Sequence, residues 1–208
     1  VIHGGGWRSG ARDDGYVRRI CRYLAGHGLA ALSVSYRLAP DARFPAQLDD
    51  LAEAVAWLRR EGPGLGLDTR AIGVWGYSAG AHLASLMSMQ PQALPVAAVV
   101  AGGTPADLRL WPDSPMVLGL LGQRLEQAPG LWAAASPASR AGPGTPPHFL
   151  YHGRLDRLVG HDQATRLQQA LQAAGVPVQL RTHWLQGHVL AAILPGSTLR
   201  DATRFLQA

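Results

Sequence analysis

The sequence predicts an α/β fold, a mostly parallel twisted sheet with helices on both faces. Short apolar, β-rich runs alternate with longer stretches of helical periodicity, the order that a parallel sheet and its crossover helices require. Several of the short runs are apolar at almost every position, as in Ala30-Ala31-Leu32-Ser33-Val34, which suits strands buried on both faces. The 208 residues, 47% hydrophobic and 16% charged, can build one core without disulfides or metals, so a single domain is expected over 1–208.

Strands are expected at 1–2, 29–36, 71–75, 96–101, 148–151 and 178–184. Between the first two, 14–27 carries Val17, Ile20, Cys21 and Leu24 at helical spacing and closes on Gly26 and Gly28. Residues 45–60 repeat the pattern with Leu48, Leu51, Ala52, Val55 and Leu58. There Pro45 stands at the start, where its missing N–H costs nothing, and Gly62 follows the end. Helices at 79–89, 162–174 and 189–206 complete the series, with Pro195 and Gly196 expected to interrupt or delay the last. Residues 103–147 break the rhythm with a crowd of prolines from Pro105 to Pro147. They read as an excursion over the sheet edge, with a short helix around 116–127, of the kind that shapes a binding site.

The net charge of +5 raises the question of a nucleic-acid partner. Every basic residue other than histidine is an arginine, and the cluster Arg18, Arg19, Arg22 shares one helix with apolar residues, so it reads as a solvated face and no nucleic acid is expected. No run of eighteen apolar residues is present, so no membrane span is expected. Cys21 stands alone, which rules out an internal disulfide and reads as a buried, inert thiol. No metal site is expected. The chain starts at Val1, on the end of a strand, so an upstream segment is expected and nothing about location follows from the residues present.

Chemistry concentrates in four places, each after an expected strand. Gly76-Tyr77-Ser78-Ala79-Gly80 lies between a strand and a helix, where small residues two positions either side of a serine let the chain turn sharply and project the hydroxyl. His3-Gly4-Gly5-Gly6-Trp7 follows the first strand. Its glycines allow the N–H groups of Gly5 and Gly6, with that of Ala79, to approach a developing oxyanion, while His3 is expected to brace the loop. His152-Gly153-Arg154-Leu155-Asp156 supplies a carboxylate that can orient a histidine; Asp162 is the nearby alternative, but it reads as an early helical residue favoured by the dipole. Gln186-Gly187-His188 then offers the base. His27, His82, His148, His161 and His183 read as packing or solvated residues. Trp7, Tyr77, Trp111 and Trp132 are candidate pocket walls, with core packing the alternative for each tryptophan.

On these residues the chain resembles the hormone-sensitive-lipase-like esterases and the neighbouring acetyl or feruloyl esterase and kynurenine formamidase branch of the α/β-hydrolases. The resemblance runs through His3 to Trp7, Tyr36-Arg37-Leu38-Ala39-Pro40, Phe44 to Asp50, Gly76 to His82, Ser136-Pro137 and His152 to Val159. The order Ser78, Asp156, His188 is the α/β-hydrolase order. The lipase-like branch carries Asp and Gly where this chain has Tyr77 and Ala81, which brings it closer to the esterase and formamidase branch. The resemblance implies a cofactor-free serine carboxylesterase acting on small or medium esters through an acyl-enzyme. It leaves open an arylformamidase or a non-catalytic ligand-binding relative. It also implies two further strands ahead of Val1. Without them 29–36 is expected to form an open apolar edge, leaving the 208-residue chain alone poorly soluble or inactive.

Overall fold

The computed structural model describes residues 1–90, 96–193 and 196–208. Its sheet is parallel, in the order β1 (Gly73–Tyr77), β2 (Ala98–Gly102), β3 (His148–Gly153), β4 (Val178–His183). Trp75 lies beside Val100, Val100 beside Phe149 and Phe149 beside Gln179. Period-two alternation divides the side chains of these strands between two cores. Val74, Val99 and Leu150 pack with Leu48, Leu51, Leu83, Leu86 and Leu167. Trp75, Tyr77, Val100, Phe149 and Tyr151 pack on the opposite side with Ile20, Leu24, Ala191, Leu199 and Ala202. Thus α1 (Gly15–Ala25) covers one face together with the two C-terminal helices, and α2 (Ala46–Glu61) and α3 (Ala79–Ser88) cover the other. The α/β class, the parallel sheet and the two helical layers are as the sequence predicts.

The expected strand at 29–36 is not formed. Val34 makes one parallel bridge to Ile2, and Ile2 bridges in turn to Gly76, which is all that remains of the strand expected at 1–2. The physical reason is a shortage of backbone partners: Val34 N–H reaches Val1 O at 3.1 Å and the Val1 amino group reaches Leu32 O at 2.8 Å, too few bonds to make a ladder. Leu32 is left 38% exposed.

The excursion also differs from expectation. It leaves β2 and returns to β3, both interior strands, and its Val117, Leu120 and Trp132 join the core shared with α2 and α3. Its α4 (Pro115–Leu121) stops at Gly122, whose φ of 71° ends the helix well before residue 127, and α5 (Pro129–Ala134) is a second short helix. Gln163 of α6 (His161–Ala173) ties it down by accepting the N–H groups of Ala106 and Asp107 at 2.9 and 2.8 Å. The last helix is divided into α7 (His188–Ala192) and α8 (Gly196–Gln207) as expected, while Pro195 itself lies outside the described residues. Cys21 is partly exposed rather than buried. Arg18, Arg19 and Arg22 stand on the exposed side of α1. Among the described residues no helix is long and apolar enough to cross a membrane.

Candidate active site

β1 runs directly into Ser78, which adopts φ 55° and ψ −121° before α3 begins at Ala79. A residue with a Cβ in that region costs on the order of 1–3 kcal/mol, and the surrounding packing must hold it there. Two glycines make the turn possible. A Cβ at Gly76 would lie 2.2 Å from Gly80 O, and one at Gly80 2.3 Å from Ile2 O.

His188 opens α7 with Nε2 3.0 Å from Ser78 Oγ and Nδ1 2.6 Å from Asp156 Oδ2. Asp156, in the loop after β3, is 7% exposed, and its Oδ1 accepts the N–H groups of Leu158 and Val159 at 2.9 Å each. Burial pushes this carboxyl up, but the bonds from His152, His188 and Val159 outweigh it and hold the group well below the usual carboxylate range. Asp162 instead meets Arg166 at 3.4 Å on the surface of α6 and takes no part. Ser78, Asp156 and His188 therefore converge from three loops at one end of the sheet.

The glycine loop faces the same point. Gly5, Gly6 and Trp7 have φ of 107°, 59° and 62°, and a Cβ on Gly5 would lie 2.2 Å from Ser9 O. The N–H groups of Gly5, Gly6 and Ala79 have no hydrogen-bond partner among the described residues. His3 braces the loop as expected, with Nδ1–H donating to Gly4 O at 2.8 Å and the ring stacked 4.3 Å from Tyr36. His82 does more than fill space. Its Nδ1 accepts the Trp7 indole N–H at 3.2 Å and its Nε2–H donates to Ala135 O at 2.7 Å, linking the glycine loop to the excursion. Burial lowers its pKa to about 4, which keeps the imidazole neutral.

A pocket of about 820 Å³ opens over Ser78. Pro105, Trp111, Met116, Val117, Leu158, Val189, Ala192 and Ile193 give it apolar walls, while Ser9, Asp14, Tyr16 and Ser114 add polar groups. Trp7 and Tyr77 border it, but each is only 4% exposed, so they act chiefly as braces. Trp111 is a wall. Trp132 is not: it is fully buried and donates to Gln123 O at 3.1 Å. Sequence reasoning did not find two supports. The Tyr77 hydroxyl donates to His188 O at 2.5 Å, and His152 Nε2 lies 2.8 Å from Val159 O and 3.3 Å from Asp156 Oδ2. The available signal was a tyrosine on the strand face opposite α3 and a second histidine four residues after His148 in β3.

A parallel sheet carrying this elbow at its C-terminal edge, followed by the acid after β3 and the histidine after β4, defines an α/β-hydrolase. More narrowly, the chain belongs to the BD-FAE family, whose profile matches residues 1–171. It is 32% identical over 192 residues to Esterase LipC of Mycobacterium tuberculosis (strain ATCC 25618 / H37Rv), a match covering 83% of this chain and 47% of LipC. The acetyl ester-xyloside bifunctional hydrolase of Caldicellulosiruptor lactoaceticus aligns with a TM-score of 0.86 and 25% identity, over 99% of this chain and 81% of that one. Apo esterase 2 of Thermogutta terrifontis aligns at 0.82 and 26%, over 99% and 80%. The chain spans about half the length of the curated relatives it matches.

Proposed function

We propose that this chain is a serine carboxylesterase with Ser78 as nucleophile, His188 as general base and Asp156 as orienting acid. One observation carries the reading: an unbroken line of hydrogen bonds from Ser78 Oγ through both nitrogens of His188 to Asp156 Oδ2, at the floor of a largely apolar pocket. His188 takes the Ser78 proton as Oγ attacks the ester carbonyl. The amides of Gly5, Gly6 and Ala79 receive the negative charge that develops on the carbonyl oxygen. His188 then returns the proton to the departing alkoxide, leaving an acyl-enzyme, and the same histidine activates the water that releases the acid. Asp156, held ionised, fixes the tautomer with Nδ1–H and stabilises the imidazolium. The apolar walls and the esterase relatives favour small or medium carboxylic esters.

Labelling by a fluorophosphonate tests the assignment. The full-length protein with Ser78 intact should be labelled and should hydrolyse p-nitrophenyl butyrate, and Ser78→Ala should abolish both. Labelling that survives Ser78→Ala overturns it. Higher kcat/KM on an N-formyl anilide than on the matched ester would reassign the substrate to formamides while keeping the residues.

A further inference from the structure

One polar group in the pocket wall has no part in the acyl transfer described above. Tyr16, the second residue of α1, turns its ring edge-on to Tyr77, 6.4 Å between centroids. Its hydroxyl accepts the Gly4 N–H at 2.5 Å. That bond uses an oxygen lone pair and leaves the phenolic hydrogen free, and among the described residues it meets no acceptor. Its position is tightly bounded. A Cβ built on Gly4 would lie 3.3 Å from Tyr16 Oη and 3.4 Å from Ser78 Cβ, so phenol and nucleophile flank the same point. Gly5 and Gly6 follow Gly4 directly, so the free O–H stands beside the amides already aimed at the reacting carbonyl.

We propose that Tyr16 is a further catalytic residue, whose O–H donates a hydrogen bond to the carbonyl oxygen as it becomes an oxyanion. The inference rests on the reading of Ser78 as an acyl-transfer nucleophile. No proton changes hands in this contact: the O–H bond of Tyr16 stays intact, the hydrogen bond strengthens as charge develops, and it relaxes when the carbonyl re-forms. The bond from Gly4 N–H polarises the phenol and makes it a better donor. Burial raises the phenol above its ordinary pKa, so the donor persists across the working range.

Tyr16→Phe should lower kcat on the order of 100-fold, the usual loss for one oxyanion donor, with KM changed less than threefold. Affinity for a trifluoromethyl ketone, which forms a tetrahedral oxyanion on Ser78, should fall by a similar factor. A tyrosine that merely braced Gly4 would also be missed by this variant, so a second one separates the roles. Replacing Tyr16 with 3,5-difluorotyrosine lowers the phenol pKa. Deprotonation then destroys the donor while making the oxygen a better acceptor for Gly4 N–H. A new alkaline limb in kcat at the fluorinated phenol's pKa is expected; a flat profile there overturns the proposal, as does a kcat for Tyr16→Phe within twofold of the parent. Turnover surviving Ser78→Ala would instead sink the underlying reading, so the two failures are distinguishable.

Discussion

Tyr77 precedes the nucleophile in the chain, yet strand alternation carries its ring to the other side of the sheet, beneath α7. There its hydroxyl holds the His188 carbonyl at 2.5 Å while its ring lies 5.2 Å from the imidazole. Tyr77→Phe should keep the packing and lose the tether. A buried hydrogen bond of this kind contributes about 1 kcal/mol, so a small loss of thermal stability is expected. Turnover should fall several-fold more than KM rises, because the base drifts from Ser78. Unchanged kcat on a short aryl ester would contradict the positioning role. Ser78, Asp156 and His188 were legible because each sits in a local pattern of strand, turn and small residue. The Tyr77 tether was not, because its partner His188 is distant in the chain and only the folded sheet brings them together.

The same distinction holds for whole elements. The regular helices were readable from 3.6-residue periodicity and terminal Pro or Gly, since those signals are local. Residues 29–36 show the opposite case: their apolar content reports burial, whereas a strand also needs backbone partners along its length, and only Val34 makes a bridge, to Ile2. The excursion was visible as a Pro-rich interruption, but the groups that hold it come from elsewhere in the chain, among them Gln163, 57 residues beyond Ala106. Gln163, 1% exposed, satisfies two buried N–H groups at the segment's start. Gln163→Leu keeps the volume and removes the acceptor, so two donors lose their partner at about 1–3 kcal/mol each. Thermal unfolding should drop by roughly 5–15 °C. Since Pro105, Trp111 and Met116 ride on the same segment, KM should rise more than kcat falls. A variant with the parent's melting temperature would show that the segment is held elsewhere.

At the scale of the whole molecule, acid should destabilise the fold through histidines before carboxylates. Burial holds the imidazoles of His82 and His148 neutral, each with a pKa lowered to about 4, and it lowers those of His3, His161 and His183 as well. The unfolded chain takes up these protons near pH 6.5, and the folded chain does not until pH approaches 4. Stability is therefore full above pH 6.5 and falls as pH drops toward 4, with a slope approaching about 1.4 kcal/mol per pH unit for each group. Asp156 acts in a more acid range: its depressed pKa stabilises the fold above the ordinary carboxylate range, and that contribution disappears only as pH falls further. Structure explains why the two imidazoles resist protonation. His148 Nδ1–H already donates to Pro146 O, and its buried Nε2 has no acceptor nearby for a second hydrogen. A proton on His82 Nδ1 would face the Trp7 indole N–H and break the brace of the glycine loop. The two should therefore separate by experiment. His148→Gln is expected to flatten the dependence of unfolding free energy on pH between 6.5 and 4.5 by close to one proton's slope, read from urea titrations at stepped pH, and to leave the pH profile of turnover alone. His82→Gln should flatten the stability curve similarly but lower turnover at every pH, because Trp7 loses its anchor beside Gly5 and Gly6. Parallel stability curves for the parent and His148→Gln across that interval would mean that His148 titrates normally in the folded chain.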